Sequence, residues 1–229
     1  MASAKSWRRR RPKPEVVARP QLLAAVLLLL GGLASAGAVA APDGMARLEA
    51  FLEGTRSMRA GFRQEVVDGE QQVVERAAGT LLLKRPGRFR WDYRTPYERV
   101  LVADGQRLWL YEADLQQVTV RPLTDTLGET PAALLTGDRK VLDRFERVST
   151  WSGEKLAWVK LRPRAQDADF SSVAVAFAGE RPAELVLEDR LGQQTHVYFT
   201  DVRLNAPVED EAFVFKVPPG ADVIREGGL

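Results

Sequence analysis

The residues able to do chemistry are few. His196, in QQTHVYF, is the one histidine, and the chain has no cysteine. A thiol nucleophile and a multi-histidine zinc site are thereby excluded. A Ser–His–Asp triad would have to use His196, and no G-x-S-x-G turn precedes it. Val197 and Phe199 alternate with His196, which reads as a solvent-facing or rim residue of a strand. No Gly-rich phosphate loop occurs, and Pro218-Pro219-Gly220 reads as a turn. Glu209-Asp210-Glu211 could hold a cation weakly, but a solvated turn before the last strand explains it better. Acidic residues occur throughout, so carboxylate pairs stay open. Nothing else points to catalysis.

One stretch does concentrate special residues. LLLKRPGRFRWDY, residues 81–93, mixes Lys84, Arg85, Arg88 and Arg90 with Phe89, Trp91 and Tyr93. Three readings compete: a nucleic-acid platform, an ordinary β-hairpin, and an apolar cavity with one arginine set in its wall. Charge argues against the first. The chain has 33 basic and 31 acidic residues, but the first 40 hold seven basic and one acidic. The remainder has 26 basic against 30 acidic residues, a net charge of −4. A domain that holds polyphosphate should itself be basic.

The first 40 residues have their own logic. SWRRRRPKPEVVAR is a positive region, and QLLAAVLLLLGGLASAGAVAA is uncharged with an apolar core at Leu22–Leu30. Small residues ending in Ala38-Val39-Ala40 complete the layout of a secretory signal peptide, with cleavage expected after Ala40. An uncleaved membrane anchor is the rival, since the stretch from Pro20 to Pro42 is long enough to span. The Gly-broken core and the A-x-A site favour cleavage. Pro12, Pro14 and a charged spacer separate the arginine run from the apolar core, which favours the general secretory route over the twin-arginine route. A bacterial lipoprotein needs a cysteine at its cleavage site, so the processed chain is expected to be soluble and without its own lipid.

Residues 43–59, DGMARLEAFLEGTRSMR, carry apolar residues at helical spacing and predict one amphipathic helix. From there the period changes to two. Asp68-Gly69 and Asp104-Gly105 mark hairpin turns. RFRWDYR alternates, with Phe89, Trp91 and Tyr93 on one side and Arg88, Arg90, Asp92 and Arg94 on the other. TDTLGETPAALLTGD, residues 124–138, interrupts the strands with a short apolar helix or helix pair. Thr130 suits its N-cap, Pro131 its first position and Gly137 its stop, and Leu127, Leu134 and Leu135 supply its apolar face. Strand-like runs resume at 144–151, 156–162, 171–177, 183–188, 195–202 and 212–217. The pattern predicts one domain, residues 41–229, with a single curled antiparallel sheet of about ten or eleven strands.

Taken together in order and spacing, several segments resemble the LolA family of periplasmic carriers of outer-membrane lipoproteins. They are FRQEV at 62–66, GTLLLKRPGRFRW at 79–91, VADGQRLWLY at 102–111 and TPAALL at 130–135. DRLGQQT at 189–195 and FVFKVPPGADVI at 213–224 continue the match nearly to the C-terminus. The resemblance implies an unclosed β-barrel with a helical lid over an apolar cavity. It implies lipoprotein cargo, loading by an ATP-driven (ABC-type) inner-membrane complex, and delivery to an outer-membrane acceptor. The carrier itself would need no nucleotide and no metal and would act as a monomer in the periplasm.

Strand parity puts Arg85 on the face of Leu81 and Leu83, opposite Leu82 and Lys84. By parity alone, a surface arginine beside a hairpin turn accounts for it at least as well. The resemblance assigns Arg85 to the arginine that reaches from barrel to lid backbone, a latch on the Pro131–Thr136 helix. A guanidinium with five donors on an apolar face needs acceptors, and the last carbonyls of a helix are free to accept. Leu81, Leu83, Phe89, Trp91, Leu101 and Trp109 are then the expected acyl-cavity residues, although cavity lining and plain core are hard to separate in a sequence. Ala132 departs from the family, which often has a bulky aromatic there. A lipid- or lipoprotein-binding sensor module and a periplasmic lipid-active enzyme remain as alternatives.

Overall fold

The computed structural model describes residues 43–123, 131–137, 139–166 and 168–227. The expected signal peptide, residues 1–40, with the expected cleavage position, Leu127, Thr130, and the side chains of Pro131 and Ala132 lie outside the described residues.

Helix α1, Gly44–Gly54, opens on Asp43, whose carboxylate accepts from the Ala46 amide at 2.9 Å. Leu48, Phe51 and Leu52 form its buried face. The helix starts directly on the sheet: a Cβ on Gly44 would stand 2.1 Å from the carbonyl oxygen of Trp158. It stops five residues earlier than the periodicity predicts. Thr55 is extended (φ −95°, ψ 119°) and returns its N–H to the Phe51 carbonyl at 3.1 Å. Met58, expected on the helix, is a fully buried strand residue. From Ser57 onward the chain finds ladder partners on both sides, Lys84 and Leu204 among them, which a further helical turn could not supply.

The strands are β1 (Ser57–Val67), β2 (Val73–Lys84), β3 (Arg88–Thr95), β4 (Arg99–Asp104), β5 (Arg107–Glu112) and β6 (Gln117–Pro122). They continue as β7 (Phe145–Gly153), β8 (Leu156–Pro163), β9 (Phe170–Ala178), β10 (Arg181–Asp189), β11 (Gln194–Leu204) and β12 (Asp222–Arg225). Between β6 and β7 lie helix α2, Pro131–Thr136, and a 3-10 turn, Arg139–Arg144. All twelve strands belong to one sheet in the order β12-β6-β5-β4-β3-β2-β1-β11-β10-β9-β8-β7, with β12 and β7 at its ends, so the sheet is unclosed.

Neighbours are antiparallel except β12, which runs parallel to β6. The expected strand at 212–217 does not form, and β12 lies beyond the Pro-Pro-Gly turn instead. Residues 210–213 form a 3-10 turn, and the segment's apolar side chains cover the outer face of the sheet rather than extend it.

Two apolar layers follow. The main core joins α1, α2 and one face of the sheet: Leu48, Phe51, Leu81, Leu83, Phe89, Trp91, Leu134 and Leu135 all belong to it. On the other face, Val208 and Phe213 bury Val100 and Val102, with Leu82, Trp109, Tyr111 and Phe215 packed around them. This second layer fixes the C-terminal segment. Lys84 Nζ donates to the Val208 carbonyl at 2.8 Å and pairs with Asp210, which also receives Arg88 Nη1 at 2.8 Å.

Candidate functional site

Arg85 directly follows β2. Its amide donates to the Arg56 carbonyl at 2.8 Å, which sets the backbone where the chain leaves the sheet. Its guanidinium then reaches two helices at once. Nη2 donates to the Leu135 carbonyl at 2.8 Å and Nε to the Gly137 carbonyl at 2.9 Å, both at the end of α2. Nη1 donates to the carbonyl of Thr55, the C-cap residue of α1, at 3.0 Å. The guanidinium carbon stands 5.0 Å from the centroid of the Phe51 ring. Terminal carbonyls lack intrahelical donors and lie at the negative end of the helix, so one cation serves both ends. The bond to α1 was not legible in the sequence. The periodicity carries the helix on to residue 59, and nothing in the chain says that its end meets a residue thirty positions away.

α2 contributes Leu134 and Leu135 to the core, each 1% exposed. Beside the Arg85 contacts lies a cavity of about 350 Å³, lined by Arg85, Gly105, Leu123, Thr136, Val141 and Arg144 among others. Of the expected cavity residues, Leu81, Leu83, Phe89 and Trp91 are buried in the core under the helices, and partly buried Leu101 packs against them. They line the face the helices cover, while the open volume sits at the end of α2.

Trp109 belongs elsewhere. It pairs with Val102 and stacks on Phe215 at 5.6 Å, on the outer face, and its indole nitrogen donates to Asp104 Oδ2 at 3.0 Å. The expectation that it faces the cavity is therefore corrected. The outer face of β4–β5 is apolar too, because the C-terminal segment covers it, and alternation between two covered faces does not reveal which is the cavity side. Burial disfavours the Asp104 carboxylate, but the Trp109 indole and the Arg107 and Gln106 amides hold it below the usual range. Arg88 and Arg90 also face outward, toward Asp210 and Asp92.

Two polar atoms in the core are unpaired. The indole nitrogen of Trp91 and the hydroxyl of Thr136 are buried without a partner among the described residues. Trp91 sits edge-to-face with Phe62 at 5.2 Å and stacks on Tyr93 at 6.4 Å. Burial pushes the Tyr93 phenol up to about 12, so it stays protonated and donates to Gln64 Oε1 at 3.1 Å.

His196 is not assembled into a catalytic constellation. Its ring nitrogens meet Glu184 Oε1 at 2.9 Å and Gln194 Oε1 at 3.2 Å. Among the described residues no group of three or more acidic or histidine side chains could hold a metal ion.

The sequence decides the family. The model of "Outer membrane lipoprotein carrier protein LolA" matches residues 53–216. The chain belongs to the LolA family. An outer-membrane lipoprotein carrier protein of Methylobacillus flagellatus is 39% identical over 184 residues, 80% of this chain and 90% of that one. One from Chromohalobacter salexigens is 40% identical over 191 residues, 83% and 91% of the two chains. Among solved structures, a LolA superfamily protein from Nitrosomonas europaea covers 76% of this chain and 99% of its own at 13% identity, with a TM-score of 0.46. The family match runs to residue 216, so it takes in Val208, Phe213 and Phe215 of the outer layer as well as most of the sheet.

Proposed function

We propose that this protein carries lipoproteins between membranes by holding their acyl chains against the face that α1 and α2 cover. The observation that carries the reading is the Arg85 contact. A single side chain from the sheet closes on the backbone ends of both helices, over a core made of Leu81, Leu83, Phe89 and Trp91. Opening would cost a few hydrogen bonds and a small apolar contact. Acyl chains entering the core would offset both. Each buried methylene is worth about 0.8 kcal/mol, so a multiply acylated chain gains on the order of tens of kcal/mol by leaving water. A latch that opposes the loaded, open state keeps this gain from becoming irreversible.

In this reading residues 41–229 are the carrier domain, released into the periplasm as a monomer once residues 1–40 are removed. An ABC-type inner-membrane complex loads it and an outer-membrane acceptor unloads it. It is not an enzyme and uses neither nucleotide nor metal. The test is to purify the protein from periplasm and search by mass spectrometry for triacylated lipoproteins bound to it. Absence of acylated cargo, together with acyl hydrolysis by the pure protein, would replace the carrier with a lipid-active enzyme.

A further inference from the structure

Trp91 occupies the middle of β3, paired with Leu81 on one side and Leu101 on the other. The residue is 5% exposed, and its indole nitrogen finds no acceptor among the described residues. Indole is a donor only, and a buried donor without an acceptor destabilises a fold. Two other aromatic donors are served. Tyr93, on the same strand and face, has Gln64, and Trp109 has Asp104. A phenylalanine at position 91 would keep the contacts with Phe62 and Tyr93 and remove the unpaired donor. The other unpaired atom, the Thr136 hydroxyl, rides on α2 and can turn or leave with it. Trp91 has no such freedom, because ladder hydrogen bonds hold β3 on both edges.

We infer that the Trp91 indole N–H is the polar anchor of the acyl site, donating to the carbonyl of an ester- or amide-linked acyl chain. This rests on the carrier reading and deepens it. Every acyl chain begins at a carbonyl, which accepts and cannot donate, and this matches a donor-only group. A plain alkyl chain offers no such atom. The anchor therefore selects acyl over alkyl ligands and sets where along the wall of Leu81, Leu83 and Phe89 the hydrocarbon begins. Without an acceptor among the described residues, the donor is satisfied when cargo binds.

The experiment uses the protein purified from cells that express the full chain, labelled with 15N. The probes are a tripalmitoylated cysteinyl peptide and the same peptide bearing hexadecyl groups without carbonyls. The wild type should bind the acylated probe about tenfold more tightly, about 1.4 kcal/mol. Trp91→Phe should lose that preference, so that the variant binds the two probes about equally, whatever its affinity for either. The Trp91 indole N–H resonance should move downfield with the acylated probe only, while that of Trp109 stays in place. A preference that survives Trp91→Phe, or an unmoved resonance in the acyl-bound wild type, overturns the anchor and leaves the carrier intact. Failure of the wild type to bind either probe overturns both. If Trp91→Phe does not fold, the resonance of the unsubstituted protein decides.

Discussion

The Arg85 guanidinium and the Leu135 carbonyl are 2.8 Å apart, so a side chain anchored on the sheet closes on the backbone of a helix whose own leucines lie in the core beneath. The contact separates two properties that could have been one. Apolar packing of Leu134 and Leu135 places α2, and in the proposed carrier reading Arg85 sets how readily it leaves.

Arg85→Leu should therefore keep the fold and slow cargo release. Hydrogen bonds from a charged donor are worth roughly 1.5–3 kcal/mol each, and loss of the latch removes an opposing force on the open, loaded state. The cargo equilibrium should shift by about one to two decades. Arg85→Lys should behave like Arg85→Leu, because a compact ammonium cannot span the carbonyls of two helices. Arg88→Leu and Arg90→Leu, which face outward, should alter transfer much less. The measurement is transfer of a labelled lipoprotein to acceptor membranes. Normal release by Arg85→Leu, with defective Arg88→Leu or Arg90→Leu, would remove the latch assignment.

Trp109→Ala should separate the two faces of the sheet. Its ring packs on Phe215 and not on the helix-covered core. Cargo binding should stay near wild type while amide exchange around Phe213 to Phe215 accelerates. Phe89→Ala should do the reverse, losing about 3–5 kcal/mol of stability, as large aromatic truncations in cores do, together with cargo binding. Equal cargo defects in both variants would mean that the outer layer shares the binding site.

Acid should release the C-terminal segment. Hydrogen bonding from Lys84, then from Arg88, holds the Asp210 carboxyl below its ordinary value of 3.8. A carboxylate whose pKa falls on folding contributes stability above the ordinary value and loses it as pH drops through the folded one. The contribution is thus complete at neutral pH and fades below 3.8. Asp210→Asn should abolish this local step and loosen the segment already at pH 7. Glu188, held low by Lys160 and Ser172, titrates in the far half of the sheet, so the readout must be local. Amide exchange at Ala212 and Val214 across an acid series supplies it, and an identical profile in Asp210→Asn would dismiss the role.

Processing should leave a chain that begins near Ala41. The positive region, the uncharged apolar core and Ala38-Val39-Ala40 motivate this. N-terminal sequencing of the periplasmic fraction checks this, and full-length protein confined to the membrane pellet would contradict it.

Alternation and turn chemistry made much of the sheet legible. Phe89 and Trp91 share a face because side chains in a strand alternate, and Asp104-Gly105 turns because glycine there takes φ 100°. α2 lies where Pro131 and Gly137 bracket it. The same local rules placed Arg85 beside Leu81 and Leu83 on one face. They could not say which layer that face would meet. Alternation relates residues within a strand; it carries no information about what covers either side. Only the tertiary structure put Trp109 under Phe215, turned the apolar run at 212–217 into a cover instead of a strand, and added β12 in parallel to β6. It also ended α1 at Gly54, because Ser57 onward gains more from two ladders than from another turn of helix. The Thr55 carbonyl came within reach of Arg85 for the same reason: long-range pairing of β1 with β2 and β11, and not any local preference, decides where that helix end sits.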